Sequence, residues 1–429
     1  MSQSTMKKDR LTRRNFLRQV AVGSSLVCSL AEGQVLTAQN PRGTRYDLLI
    51  KGGRIVDPSQ SLSADLDLAI SGDRIAQVAA RIPETEARQV LNARGKVVTP
   101  GLIDVHVHVY DGVGPHGIPA DPNCIAKGVT TVLDAGSSGA YNFPGLRKYV
   151  INVVDTRVYA LLNIALIGIV DSGDSPYTEL LDLHYSNPKI AVRTIEQHRD
   201  VILGVKVRLR ANEVGETSDH DLAALKLALE ASDAVKLPLM VHGATPGILP
   251  LLRKGDVVTH CFHAGAGGIL DEKGRVLRAV REAVGRGVHL DVGHGRGGFN
   301  FAVAEQALAQ ELLPGTISSD VHFFNVTGPV FDLATTLSKF MHMGLTLEQV
   351  IERAATNPAN TFGFPKGLGT LAEGAVADVA VFWLAEGDFQ FMDSQEQSRL
   401  GHRKLVPVAT VKAGRIYGSS SIPIVLMER

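Results

Sequence analysis

The sequence predicts an α/β protein: a (β/α)8 barrel of TIM type with a small β-sandwich built from both chain ends. Three observations carry that reading. Between residues 99 and 364, short apolar runs alternate with helical patterns eight times, the signature of a parallel sheet wound with helices. Residues 46–98 and 365–429 share a different texture, short strands joined by turn residues. Several apolar runs in the middle end in histidine, lysine or aspartate, and the C-terminal ends of barrel strands are where barrel enzymes carry their chemistry. A chain of 429 residues accommodates one barrel of about 250 residues and a smaller domain.

The chain opens on a targeting segment, residues 1–31. Lys7, Lys8, Arg10, Arg13, Arg14 and Arg18 stand there against Asp9 alone, although the formal net charge of the whole chain is zero. Thr12-Arg13-Arg14-Asn15-Phe16-Leu17-Arg18 looks like a twin-arginine export signal, followed by a moderately apolar run from Val20 to Leu30 and by small Ser29 and Ala31. That run is too short to span a bilayer. The expectation is an exported protein, periplasmic or extracytoplasmic, handed in folded form to the twin-arginine machinery. A lipoprotein site at Cys28 fits poorly, because Val27 precedes it. Cleavage near Ala31 leaves Cys124 and Cys261, too few for a disulfide framework. Residues 32–45 read as a linker. With 45% hydrophobic and 21% charged residues the rest reads as globular, and nothing in it points to nucleic acid.

The first strands of the small domain are Asp47-Leu48-Leu49-Ile50-Lys51-Gly52-Gly53, Asp67-Leu68-Ala69-Ile70 and Arg74-Ile75-Ala76-Gln77-Val78, with Ser71-Gly72-Asp73 as a turn. The texture resumes in Ala377-Asp378-Val379-Ala380-Val381-Phe382 and in Val408-Ala409-Thr410-Val411-Lys412-Ala413-Gly414. Barrel strands are expected near 101–108, 129–135, 157–167, 201–209, 237–242, 256–261, 288–293 and 315–320. Helices fall between them, such as Leu222 to Ser232 and Phe301 to Leu313.

The chemistry begins in Gly101-Leu102-Ile103-Asp104-Val105-His106-Val107-His108, where strand alternation puts both imidazoles on one face. Four later runs end alike, in Lys206, His242, His260 and Asp320. Imidazole and carboxylate suit a borderline divalent ion such as zinc. No Gly-x-Ser-x-Gly elbow and no Walker-type loop appears.

In this ligand order the chain resembles the amidohydrolase superfamily of metal-dependent hydrolases, and within it the dihydroorotase-like, deacetylase-type branch. The likeness covers nearly everything after residue 45, down to Asn357-Pro358-Ala359 and Gly374-Ala375-Val376-Ala377-Asp378. It implies two zinc-like divalent ions, one on His106 and His108 and the other on His242 and His260. It implies that Lys206 is carbamylated by carbon dioxide and bridges them. A lysine buried at a strand end has its pKa lowered toward neutrality, and the neutral amine can attack carbon dioxide. In the sixth strand His263 rivals His260, and family placement favours the first. Asp320 matches the aspartate that contacts a metal and the bridging hydroxide. It is the expected general base and acid, taking the proton of that hydroxide and returning it to the leaving group.

Three further residues are candidates for binding a small-molecule substrate. His294 ends the seventh strand, Arg208 shares a strand face with Lys206, and His322 follows Asp320. Arg208 reads equally as a salt bridge at the barrel rim, and Asn163 and Tyr110 are rim positions. Dihydroorotases carry His-x-His-x-Arg, whereas Tyr110 stands here in place of the arginine. D-aminoacylases use a cysteine ligand. Gly293-His294-Gly295 with Ser319-Asp320-Val321-His322 looks most like the deacetylase-type branch. The resemblance therefore implies hydrolysis of an amide or ester bond in a small acylated acid, an N-acyl amino acid or O-acyl hydroxy acid. The alternative is a cyclic amide hydrolase of dihydroorotase or hydantoinase type. Relatives of this kind often form homo-oligomers. A non-catalytic scaffold does not fit a chain with all six ligand positions filled.

Overall fold

Both chain ends feed one sheet. In the computed structural model, which describes residues 44–171, 178–209, 218–243 and 246–418, the first end supplies five strands. These are β1 (Tyr46–Asp57), β2 (Leu62–Ser71), β3 (Arg74–Ala79), β4 (Ala87–Asn92) and β5 (Val97–Pro100). The barrel follows as β6 (Leu102–Val107), β7 (Val129–Gly139), β8 (Arg157–Asn163), β9 (Ile202–Arg208), β10 (Leu239–His242), β11 (Val257–Thr259) and β12 (His289–Leu290). The second end supplies β13 (Val379–Met392), β14 (Ser398–Lys412) and β15 (Arg415–Gly418). The twin-arginine segment, with Cys28 and its cleavage region, lies outside the described residues.

The sheet of the small domain runs β15-β14-β13-β5-β1-β2-β3, with β4 also on β1. Antiparallel pairing of β13 with β5 joins the two ends. An irregularity between Ile50 and Gly53 bends β1, so its first half pairs with β4 and its second half with β5. The sheet curls until its end turns meet: a Cβ on Gly414, at φ +81°, would stand 2.0 Å from the Gly72 carbonyl oxygen. Leu48, Ile55, Leu68, Ile70, Val379, Val381 and Val411 share the core it encloses. The expected sandwich is thus a single hydrogen-bonded sheet folded over its own core.

Strands β6 to β12 pair in sequence order, all parallel. Most are apolar because helices cover one face and the barrel interior the other. Helix Asp219–Val235 starts on a capping box between Ser218 and Asp221 and ends at left-handed Lys236. Helix Phe301–Ala309 stops four residues short of the expected Leu313, before Glu311 at φ +60°.

The eighth strand departs from expectation. Residues 315–321 close the ring through isolated parallel bridges, Asp291 to Thr316 on one side and Val107 to Val321 on the other. The reason is local. Ser318 and Ser319 turn their hydroxyls to buried Asp291 and Asp104, Ile317 N–H donates to the Arg353 carbonyl, and Asp320 sits at φ +48°. Side-chain bonds of this kind compete with a regular ladder. The turn between β13 and β14 also reaches the barrel. Ser394 N–H donates to the Phe299 carbonyl at 3.0 Å, and its hydroxyl to the Gly295 carbonyl at 3.2 Å.

Candidate metal centre

His106 lies within β6 and His108 just past its end, on the same face, and both are buried. Their Nε2 atoms lie 3.5 and 3.2 Å from Asp320 Oδ1. One ligand atom from each of the three residues can be chosen so that all fall within 4.8 Å of one another. Asp320 Oδ1 is buried and has no hydrogen-bond partner among the described residues. An orphaned carboxylate oxygen is expensive in a protein interior, and a cation is what relieves it. His260 joins from the end of β11, its Nε2 4.0 Å from Asp320 Oδ2, and its ring centroid lies 4.9 Å from that of His106 and 4.4 Å from that of His242. Lys206, His242 and the other four expected ligands line one pocket together with Arg208, His322, His116 and Ile169.

The charges suit metal binding. Burial holds His106 and His108 well below the usual imidazole value, the neighbouring Lys206 adding to the effect, and lowers His260 to about 4. Neutral imidazole is the form that ligates metals. Lys206 is 1% exposed, and its Nζ lies 3.4 Å from Met240 Sδ, a weak acceptor. Burial lowers its pKa to about 7 despite the opposing pull of Asp320.

A layer of hydrogen bonds aims the donors. The Thr259 hydroxyl donates to Asp291 Oδ2 at 2.7 Å, so its oxygen accepts the Nδ1–H of His106 at 2.9 Å. That tautomer leaves the Nε2 lone pair directed at the pocket. Asp291 is fixed in turn by Thr316 at 2.6 Å and Ser318 at 2.7 Å. His260 Nδ1–H donates to the Gly293 carbonyl at 2.6 Å, and His108 Nδ1 pairs with Ser137 Oγ at 2.9 Å. Gly293 is in the left-handed region at φ +48°, and a Cβ there would meet Thr259 Oγ1 at 2.2 Å. His260 and Asp320 are themselves left-handed, at φ 64° and 48°, conformations that cluster at functional sites.

The chain has counterparts among known proteins. The amidohydrolase family matches residues 97–416. The chain belongs to that family. A deacetylase of Agrobacterium fabrum is 35% identical over 83% of this chain and 88% of its own length. A solved structure described as an adenine deaminase superposes with a TM-score of 0.78 at 34% identity, covering 87% of this chain and all of that one. Another, described as a dihydroorotase, gives 0.77 at 32% identity, covering 86% of this chain and 97% of that one. This amidohydrolase is thus a hydrolytic enzyme.

The residues expected to touch substrate separate into two groups in the amidohydrolase pocket. Arg208 and His322 line it. Arg208, however, is held by two buried carboxylates, with Nη1 3.2 and 3.3 Å from Glu179 and Nη2 3.4 Å from Asp171, which is the rim salt bridge. His294 is corrected: it lies apart from the pocket lining. Its ring packs at 4.7 Å on Phe299, its Nε2 accepts from Lys339 Nζ at 2.6 Å, and its Nδ1 reaches the Gly295 carbonyl at 3.0 Å. Gly293 and Gly295, both at positive φ, break the alternation that would have carried the ring toward the ligands. Tyr110 donates its hydroxyl to the Asn142 carbonyl at 3.0 Å, and Asn163 bonds the Gly136 carbonyl at 3.1 Å. His263 Nδ1 accepts the Gly265 N–H at 2.9 Å.

The sequence reading missed His116. It follows the His-x-His strand in a loop, where no periodicity fixes a direction. The nearest signal was its place eight residues after His108.

Proposed function

We propose that this amidohydrolase removes an acyl group from a small acylated acid, an N-acyl amino acid or an O-acyl hydroxy acid, with two zinc-like ions at its centre. The observation that carries the reading is Asp320 Oδ1, buried, without a hydrogen-bond partner among the described residues, and within 3.5 Å of two imidazole nitrogens at the mouth of the barrel. His106, His108, His242, His260, Asp320 and Lys206 (as its carbamate) are the residues that would hold the ions. When bound, such ions lower the pKa of a coordinated water and polarise the scissile carbonyl. Asp320 then does the proton work: its carboxylate accepts a proton as water attacks the carbonyl carbon and returns it to the departing amine or alkoxide. The Thr259–Asp291 pair keeps His106 in the tautomer that turns a lone pair inward. Support for an acyl substrate comes from the deacetylase named above, 35% identical over 83% of this chain.

The second reading is cyclic amide hydrolysis, favoured by the likeness to the dihydroorotase structure at 32% identity. Against it, the Tyr110 hydroxyl is spent on the Asn142 carbonyl. A screen of zinc-loaded protein decides between them, using N-acetyl D- and L-amino acids, O-acetyl hydroxy acids, hydantoin, dihydrouracil and dihydroorotate. Turnover of the acylated acids is expected. Turnover confined to the cyclic compounds would replace the first reading with the second.

A further inference from the structure

Beside the expected ligands, two more imidazoles face the pocket. The His116 ring centroid lies 5.4 Å from that of His108 and 4.9 Å from that of His322, and Phe324 packs edge-on against His116 and His322 at 5.6 and 5.9 Å. The loop carrying His116 is pinned in place. Phe323 N–H donates to the His116 carbonyl at 3.0 Å, and Ile118 N–H to the His108 carbonyl at 3.1 Å. His322 Nδ1 accepts the Phe324 N–H at 3.2 Å, so its Nε2 carries a hydrogen and is a donor. His116 Nδ1 is buried with no hydrogen-bond partner among the described residues. An unpaired buried nitrogen calls for an explanation, and a ligand in the pocket that His116 lines supplies one. The guanidinium in the same pocket, Arg208, is already shared between Glu179 and Asp171.

We propose that His116 is a substrate-binding residue which, with His322, donates N–H groups to the carboxylate of the acylated acid. The assignment rests on the acylated-acid reading above for the identity of the anion. It makes the pair, and not Arg208, the determinant of selectivity for an acid over its neutral analogue. The loop that follows β6 would then set substrate preference.

The test compares an N-acetyl amino acid with its carboxamide, in the wild type, His116→Phe and His116→Asn. Phenylalanine keeps the ring packing and removes both nitrogens, whereas asparagine returns a donor near the Nδ1 position. His116→Phe should raise KM for the carboxylate substrate about 10–100-fold, the worth of a hydrogen bond to a charged group. The increase for the carboxamide should be at least about tenfold smaller, and His116→Asn should recover most of the loss. Calorimetric binding of lactate, a simple 2-hydroxy acid, should weaken in parallel with the carboxylate KM. Equal effects on carboxylate and carboxamide, or unchanged lactate binding in His116→Phe, would overturn the assignment. If the wild type hydrolyses no acylated acid, the substrate reading fails, and lactate binding still decides whether His116 holds a carboxylate.

Discussion

Gly295 occupies the space beside Asp320 that only a residue without a side chain can leave open: a Cβ on Gly295 would stand 2.2 Å from Asp320 Oδ2. Bare backbone therefore bounds one carboxylate oxygen while the other faces His106 and His108. Gly295 also sits at φ +50°, where an L-residue costs roughly 1–2 kcal/mol. Gly295→Ala is thus expected to push the carboxylate out of line and to lower bound metal and activity together. Gly297→Ala is the control, since a Cβ there meets nothing within 4 Å. Metal analysis and activity of the two variants check this, and a Gly295→Ala protein with full metal and full rate would refute it.

Thr259 tests the aiming of His106. Its hydroxyl is the only atom between the His106 Nδ1–H and Asp291 in the chain of bonds described, at 2.9 and 2.7 Å. Thr259→Val keeps the shape and removes that oxygen. Loss of such a partner typically weakens metal affinity about 10–100-fold. Chelator competition on the variant would show it, with the barrel still folded by circular dichroism. Unchanged affinity would mean that packing alone orients the ring.

Lys206 gives a pH dependence with a definite sign. Burial lowers its pKa to about 7. Below that value the amine of the metal-free protein is protonated and cannot take up carbon dioxide; above it the neutral nucleophile is present. Reconstitution with zinc at fixed dissolved carbon dioxide should be fast above about pH 7 and slow roughly tenfold per unit below. Lys206→Ala should lose metal and activity at every pH, and propionate should restore part of both by entering the vacated space. Reconstitution indifferent to carbon dioxide and pH would remove the carbamate.

How much of this was legible in the sequence depends on what fixed each residue's direction. His106 and His108 could be read because alternation along a strand is a strict period of two, and Lys206, His242, His260 and Asp320 because each ends an apolar run, with family resemblance choosing His260 over His263. The same rule failed for His294, where glycines at φ +48° and +50° break the alternation. It failed in part for the eighth strand, whose serines bond to Asp104 and Asp291 and leave only isolated bridges. Arg208 could not be assigned without Glu179 and Asp171, which lie outside any strand pattern. His116 stayed hidden for the same reason: loop shape follows from contacts such as Phe323 N–H to its carbonyl, and no periodicity records them.

Asp320 is the residue whose change best separates chemistry from assembly. Burial raises its carboxylate pKa, and the nearby His322, His260 and Lys206 oppose that rise. A base must be ionised to accept a proton, so the wild-type rate should fall as the pH drops through the carboxylate's pKa. Asp320→Asn is nearly the same shape and keeps an oxygen beside His106 and His108, with the remaining ligands in place. It should retain the fold and most of the metal. Removing a group that transfers a proton in the transition state costs on the order of 10²–10⁴ in rate, about 3–5 kcal/mol of barrier. The loss should appear in kcat, with a smaller change in KM, because substrate binding does not require the proton transfer. The acid limb of the pH–rate profile should disappear or move, since the amide does not titrate there. A variant with full metal, near-normal kcat and the wild-type acid limb would show that the proton is carried elsewhere. His322, on the same side of the pocket and close to Asp320, is then the group to replace next.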